Sequence, residues 1–296
     1  MDNKNFLLPV TSDFIFKLIF GDKRNVDVLG AFLRSVLDIP DEEYEHLVIV
    51  DPHVKKESAN DKYGILDVKL HTVSGSVIHI EIQVRVLPDM KARTIYSQSK
   101  LVTEQMSSGM KWSDIKRTIT IVITSEEFIS EGDKYHNQFR YRTNDGIEFT
   151  DFTEINTLDL SKLPADGDNT ELWYWMKFIK TNDVEVLDML ETRSPQMRKA
   201  VGVLKELSAD EQTRMLYESR EMARRDYESL LDAANAAIAE KDISIAKQAA
   251  TLTEQAATLT EQAATLTEQA ATLTEQAAEI ASLRTQLENK KNSSYQ

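Results

Sequence analysis

The sequence predicts an α/β domain followed by a helical connector and a long coiled coil. Three observations carry that prediction. Apolar and polar residues alternate over 64–71 and 77–84, as half-buried strands require. Apolar residues recur at helical spacing over 13–37 and again over 90–108. From Thr251 a seven-residue unit repeats four times without a change. The expected boundaries are a globular domain over 1–180, a connector over 181–230, a coiled coil over 231–290 and a disordered tail over 291–296.

The first helix is expected from Asp13 to Phe20, with Thr11-Ser12 to cap it and Gly21 to end it. Phe16 and Phe20 belong to its core face. Asp13 and Lys17, four residues apart, share another face. A second helix presents Val28, Leu29, Phe32, Leu33, Val36 and Leu37 before Pro40 stops it.

Gly64 to His71 and Val77 to Val84 read as two strands joined by the turn-rich Thr72-Val73-Ser74-Gly75-Ser76. Asp67, Lys69 and His71 fall on one face of the first strand; His79, Glu81 and Gln83 fall on one face of the second. Leu66, Val68, Leu70, Ile78, Ile80, Ile82 and Val84 make the buried face. A turn centred on Ser74 puts Asp67 opposite Glu81, and one centred on Gly75 puts Lys69 there. Both registers gather two acids, a lysine and an amide around one point. Paired carboxylates repel unless a cation lies between them, and hard oxygen donors suit magnesium, calcium or manganese. A bound ion of that kind polarises a phosphate and activates water. An amphipathic hairpin with a solvated polar face would show the same alternation.

After the hairpin, Met90 to Ser108 reads as a crossover helix with Ile95, Val102 and Met106 inward, and Thr118 to Ile123 as the next strand. Arg93 and Tyr96 share a helix face from which they can meet a phosphate backbone. Trp173, Tyr174, Trp175 and Phe178 read as core, because only Lys177 and Lys180 supply basic charge near them.

The spacing from Asp67 to Glu81-Ile82-Gln83 resembles the PD-(D/E)XK nuclease core, with Gln83 where the last letter expects lysine. Asp13-Phe14-Ile15-Phe16-Lys17, Tyr63 to Lys69, Arg93-Thr94-Ile95-Tyr96, Glu104-Gln105-Met106 before Gly109, Thr118 to Thr124 and Tyr135-His136 resemble the branch of recombination-promoting, transposase-like nucleases. The resemblance spans roughly residues 5 to 180. It implies a restriction-endonuclease-like α/β core that cleaves DNA with a divalent metal. Carried onto this chain, Asp67 and Glu81 are metal ligands and the Ile82 carbonyl adds a third oxygen. Gln83 can orient water or phosphate but brings no positive charge. Lys69 is the candidate cation, with pairing to Glu81 as its bland alternative. Asp13 and Lys17 become residues at the edge of the site, and Arg93 and Tyr96 candidate DNA contacts.

Composition sets the outer bounds. Of the 296 residues 41% are hydrophobic, enough for a packed core, and the absence of cysteine rules out disulfides, thiolate metal sites and a cysteine nucleophile. No apolar run approaches a membrane span, and Met1 to Asn5 lacks the pattern of a signal peptide, so a cytoplasmic location is expected. The net charge of −14 is unusual for a DNA binder, whose affinity comes largely from basic side chains. Residues 231–291 hold nine acids and five bases, so most of the acidic excess lies elsewhere.

Thr-Leu-Thr-Glu-Gln-Ala-Ala begins at Thr251, Thr258, Thr265 and Thr272. Leu231, Ile238, Ile245, Leu252, Leu259, Leu266, Leu273, Ile280 and Leu287 form one heptad row, and Ala249, Ala256, Ala263, Ala270 and Ala277 the other, with Asn235 and Asp242 upstream in that second row. So narrow a stripe is best buried by self-association, which predicts a homo-oligomer through 231–290. The expected activity is therefore a metal-dependent DNA endonuclease. Two alternatives are a nuclease-like binding module that does not cut, and a coiled-coil adaptor whose head binds a partner.

Overall fold

A computed structural model describes residues 6–50 and 68–293. The chain divides into two units, residues 1–220 and 221–296. In the first, helix α1 (Asp13–Phe20) and helix α2 (Val26–Val36) precede a short strand β1 (Val48–Val50). A hairpin of β2 (Val68–His71) and β3 (Val77–Gln83) leads through α3 (Met90–Thr103) to β4 (Thr118–Thr124). Strands β5 (His136–Arg142) and β6 (Glu148–Asp159) follow, then helices α4 (Glu171–Lys180), α5 (Val184–Glu191) and α6 (Pro195–Ala209).

The six strands form one sheet in the order β1-β2-β3-β4-β6-β5. Pairs β3/β4 and β4/β6 are parallel, and the other three are antiparallel. A parallel β3/β4 pair needs a crossover, and α3 provides it. The expected helix therefore exists, but its inward face is Met90, Thr94, Gln98 and Leu101, while Ile95 is 57% exposed. Thr94 and Gln98 can face inward because their polar atoms are satisfied: Thr94 Oγ1 donates to the Met90 carbonyl at 3.0 Å, and Gln98 Nε2 to the Glu154 carbonyl at 2.8 Å.

Residues paired across strands share a face. Ile78, Ile80, Ile82, Ile119, Ile121 and Ile123 make one face, packed with α1, α2 and α4 in a single apolar core. Phe16, Phe20, Phe32, Trp175 and Phe178 stack within it, with ring centroids 4.5 to 6.4 Å apart. Truncating one such ring costs about 3–5 kcal/mol. The other face carries His79, Glu81, Thr118, Thr120 and Val122 and is covered by α3, where Met90, Val122 and Phe128 form a second small cluster. Coverage on both sides is why β3 is buried from Val77 to Ile82, and why the hairpin is no solvated amphipathic ribbon.

The hairpin register pairs Val68 with Ile80 and Lys69 with His79, the arrangement centred on Ser74. Glu43 fixes that turn. Its carboxylate accepts from Thr72 Oγ1, from the Ser74 amide at 3.1 Å and from Ser74 Oγ at 2.8 Å. Burial pushes its pKa up, but these donors together hold it below the usual carboxylate value. Gly75 sits at φ +88, a conformation that side chains with a Cβ rarely adopt.

Several boundaries differ from expectation. Ser12 occupies the N-cap of α1 without a side-chain cap bond; Asp13 accepts from the Phe14 amide instead. Val84 lies beyond β3 and is 38% exposed. The segment expected as a connector from 181 supplies Leu187, Leu190, Met197, Ala200, Val201 and Leu204 to the main core. Its apolar residues are spaced as a core-facing helix face requires. The final helix α7 (Glu211–Ser293) is continuous for 83 residues, so 291–293, expected as a tail, extend it.

Candidate functional site

Glu81 is the centre of the polar row on β3. Only 2% of it is exposed, because parallel pairing to β4 holds the strand flat while α3 covers the carboxylate. Burying such a group without partners is costly. Gln83 Nε2 and Arg93 Nη2 meet it at the same oxygen, each donating to Oε1 at 2.7 Å. Gln83 is two residues along the same strand face, and Arg93 comes from the first turn of α3. The Arg93 side chain is 28% exposed, so the guanidinium bridges the buried carboxylate and solvent.

The other expected site residues take defined places. Lys69 stands beside this row, opposite His79, yet its Nζ lies 3.5 Å from Glu104 Oε2 at the end of α3. Its pairing with Glu81, the bland expectation, is thereby replaced by pairing with Glu104. Ile82 turns its side chain into the core, 7% exposed. Tyr96 is 70% exposed, on the outer side of α3, while Arg93 turns toward the sheet. Asp13 is exposed at the start of α1 and Lys17 is half-buried near its end. A Cβ built on Gly21 would meet Lys17 Cγ at 3.0 Å and Val68 Cγ2 at 3.5 Å, so that end of α1 abuts the start of β2. Asp67 lies outside the described residues. Two surface cavities, one against Arg34, Tyr135, His136 and Thr170 and one against Arg34, Tyr44 and His46, do not include Glu81.

Among the described residues no group of three His, Asp or Glu side chains is arranged to hold a metal. The donors on β3 are nonetheless of the right chemistry for a hard divalent ion: a buried carboxylate, an amide and backbone carbonyls, with no cysteine thiolate in the chain to compete.

Sequence reasoning missed a second buried acid. Glu154 on β6 is 1% exposed and lies on the core face, paired in register with Ile119. It accepts from Arg117 Nη2 at 2.7 Å, Arg140 Nε at 2.8 Å, Gln138 Nε2 at 2.8 Å and Asn156 Nδ2 at 2.7 Å. Burial raises its pKa, but the bonds from Asn156, Gln138 and Arg140 outweigh that and leave it lowered. Four donors converging on one carboxylate tie β4, β5 and β6 together. The alternation of Phe139 and Tyr141 with Arg140 and Arg142 was the signal available for β5.

A family model for PD-(D/E)XK nuclease family transposases matches residues 10–234. The chain belongs to that family. No curated protein and no solved structure matches it. The match runs past 180 and takes in α5, α6 and the first part of α7, in keeping with the helices that complete the core. Membership in the PD-(D/E)XK nuclease family transposases gives the chain a nuclease-like affiliation, and nucleases of this superfamily generally use divalent metals. No helix among the described residues is long and apolar enough to cross a membrane.

Proposed function

We propose that this family member is a divalent-metal-dependent DNA endonuclease whose centre is the polar row of β3. The observation that carries the reading is Glu81, a carboxylate buried at 2% exposure and held by Gln83 and Arg93 inside the family's matched region. Asp67, Glu81 and the Ile82 carbonyl would hold the ion, magnesium or its relatives manganese and calcium. When bound, such an ion supplies Lewis-acid stabilisation of phosphate and a more acidic water.

The chain's own residues do the rest. Gln83 commits its Nε2 to Glu81, which turns its amide oxygen into an acceptor able to orient water. It cannot take the proton, so Gln83 is an orienting group and not a base. Lys69, shared with Glu104, adds positive charge at the rim. Tyr96 on the outer side of α3 and, on the other side of the sheet, Asp13 and Lys17 of α1 are separate candidate contacts for a phosphate backbone. With a net charge of −14, affinity for DNA comes from these local contacts and not from a general basic field.

The heptad array joins copies of the chain in this reading. Leu252, Leu259, Leu266 and Leu273 are 64–66% exposed along α7. Thr253, Thr260, Thr267 and Thr274 donate their hydroxyls to the carbonyls four residues earlier, so their methyl groups widen the apolar seam. Only a surface with the same seven-residue period matches this stripe along its length, and a second copy has it. The neutral Gln83 and the acidic charge favour a second reading, a nuclease-like DNA- or protein-binding module that does not cut. Incubating supercoiled plasmid with the full chain and magnesium, manganese, calcium or EDTA separates them. Nicking with a divalent ion that EDTA abolishes supports the nuclease; binding without nicking under every condition supports the module.

A further inference from the structure

Arg93 holds an unusual post. A guanidinium in the first turn of α3 stands at the positive end of the helix dipole, where a cation is disfavoured. Its position is accounted for by Glu81, whose Oε1 it meets at 2.7 Å. That same oxygen belongs to the carboxylate proposed to hold a divalent ion. Two cations at one carboxylate repel each other. Arg93 has an exit, since 28% of its side chain already meets solvent and its long stem can swing outward. Lys69, a further cation on this side of the sheet, is paired with Glu104, and Gln83 is neutral where the PD-(D/E)XK pattern has lysine.

We propose that Arg93 is the resident counter-ion of Glu81, that an incoming divalent cation displaces it from Oε1, and that the displaced guanidinium supplies the positive charge which Gln83 does not. The proposal rests on the metal reading above. It makes Arg93 a positioning residue for Glu81 in the ion-free protein and a competitor of the metal, so its removal has opposite effects on two readouts. Metal uptake strengthens while cleavage weakens. A residue that merely stabilised the fold would weaken both, and one that only touched DNA would leave metal uptake unchanged.

The test is calorimetric titration of Mn2+ into the full-length chain and into Arg93→Gln, Arg93→Ala and Arg93→Lys, with Glu81→Gln as the control for the site and circular dichroism for the fold. Arg93→Gln and Arg93→Ala are expected to bind Mn2+ about tenfold more tightly than wild type, and to nick plasmid more slowly. Arg93→Lys, which keeps a competing charge, is expected to stay within about threefold of wild-type affinity. Unchanged or weaker Mn2+ binding by folded Arg93→Gln overturns the proposal while Glu81-dependent binding by wild type leaves the metal reading standing. Absence of Mn2+ uptake in wild type and every variant overturns both.

Discussion

Replacing Glu154 by glutamine should be among the most damaging isosteric changes in the first unit. The carboxylate is 1% exposed and receives four donors, two of them guanidinium groups. Glutamine keeps the shape but removes the charge and turns one acceptor oxygen into a donor that faces other donors. Arg117 and Arg140 are then left largely buried, at 21% and 18% side-chain exposure, without their acid. Breaking a fully buried pair costs about 3–5 kcal/mol. Partial exposure, and the 3.8 Å approach of Arg140 to Glu148, reduce that to about 2–4 kcal/mol. All three tryptophans, Trp112, Trp173 and Trp175, lie in this unit, so urea unfolding followed by their fluorescence reports it without interference from α7. With a urea slope of about 2–3 kcal/mol/M, the midpoint should fall by about 1 M. The folded pKa of Glu154 lies below its ordinary 4.5, so its contribution is full above that value and disappears as pH falls through the folded pKa. The gap between wild type and Glu154→Gln should therefore be wide at pH 7 and should narrow as pH falls below the ordinary carboxylate range and through the folded pKa. A midpoint shift under about 0.3 M at pH 7, or a gap that does not change with pH, would refute the assignment of this cluster as a charge-dependent tie.

Truncation after Leu230 should lower the oligomeric state, read by light scattering as the number of chains per particle, and keep metal-dependent cleavage, with a larger activity loss at low protein concentration than at high; an unchanged number of chains removes the coil as the joining element. Aspartate in place of both Leu259 and Leu266 should have the same effect on oligomeric state, while valine at Thr253, Thr260, Thr267 and Thr274 should leave it, because those hydroxyls bond within their own helix. Gln83→Lys should retain nicking, since an ammonium can also donate to Glu81, and Gln83→Ala should lose about tenfold or more; the reverse order would take Gln83 out of the site.

The hairpin was legible because alternation reports the faces of a strand directly, and odd-length turn chemistry limited the register to two choices. Glu43, 31 residues before Ser74, selects between them, and nothing local in the sequence announces that contact. The inward face of α3 was misread for a physical reason. Periodicity scoring seeks apolar residues, whereas Thr94 and Gln98 face a polar sheet surface, leaving Ile95 outside. Strand β6 escaped notice because Phe149, Phe152, Ile155 and Leu158 recur every third residue, which fits no single strand face. Of these only Leu158 reaches the core; Phe149 and Phe152 are exposed, and the register shifts near Arg140 and Tyr141 interrupt the alternation in the earlier part of the strand. Arg93 was visible as a candidate, but its partner was not. Twelve residues separate it from Glu81, and only the crossover of α3 over the sheet brings the two together. Helices α5 and α6 carry Leu187, Leu190, Met197, Ala200, Val201 and Leu204 at helical spacing, a pattern that belongs to a core and not to a connector.

The polar row of β3 is proposed as a metal-dependent phosphodiesterase centre. The most direct test is nicking of supercoiled plasmid, with magnesium or EDTA, by wild type, Asp67→Ala and Glu81→Gln, each verified as folded by tryptophan fluorescence. Glutamine preserves the shape and much of the hydrogen bonding at position 81, so a loss there reports the charge and not a collapsed site. The account predicts magnesium-dependent nicking by wild type, none with EDTA, and a loss of at least about a thousandfold in both variants. Equal magnesium-dependent nicking by all three proteins would contradict it.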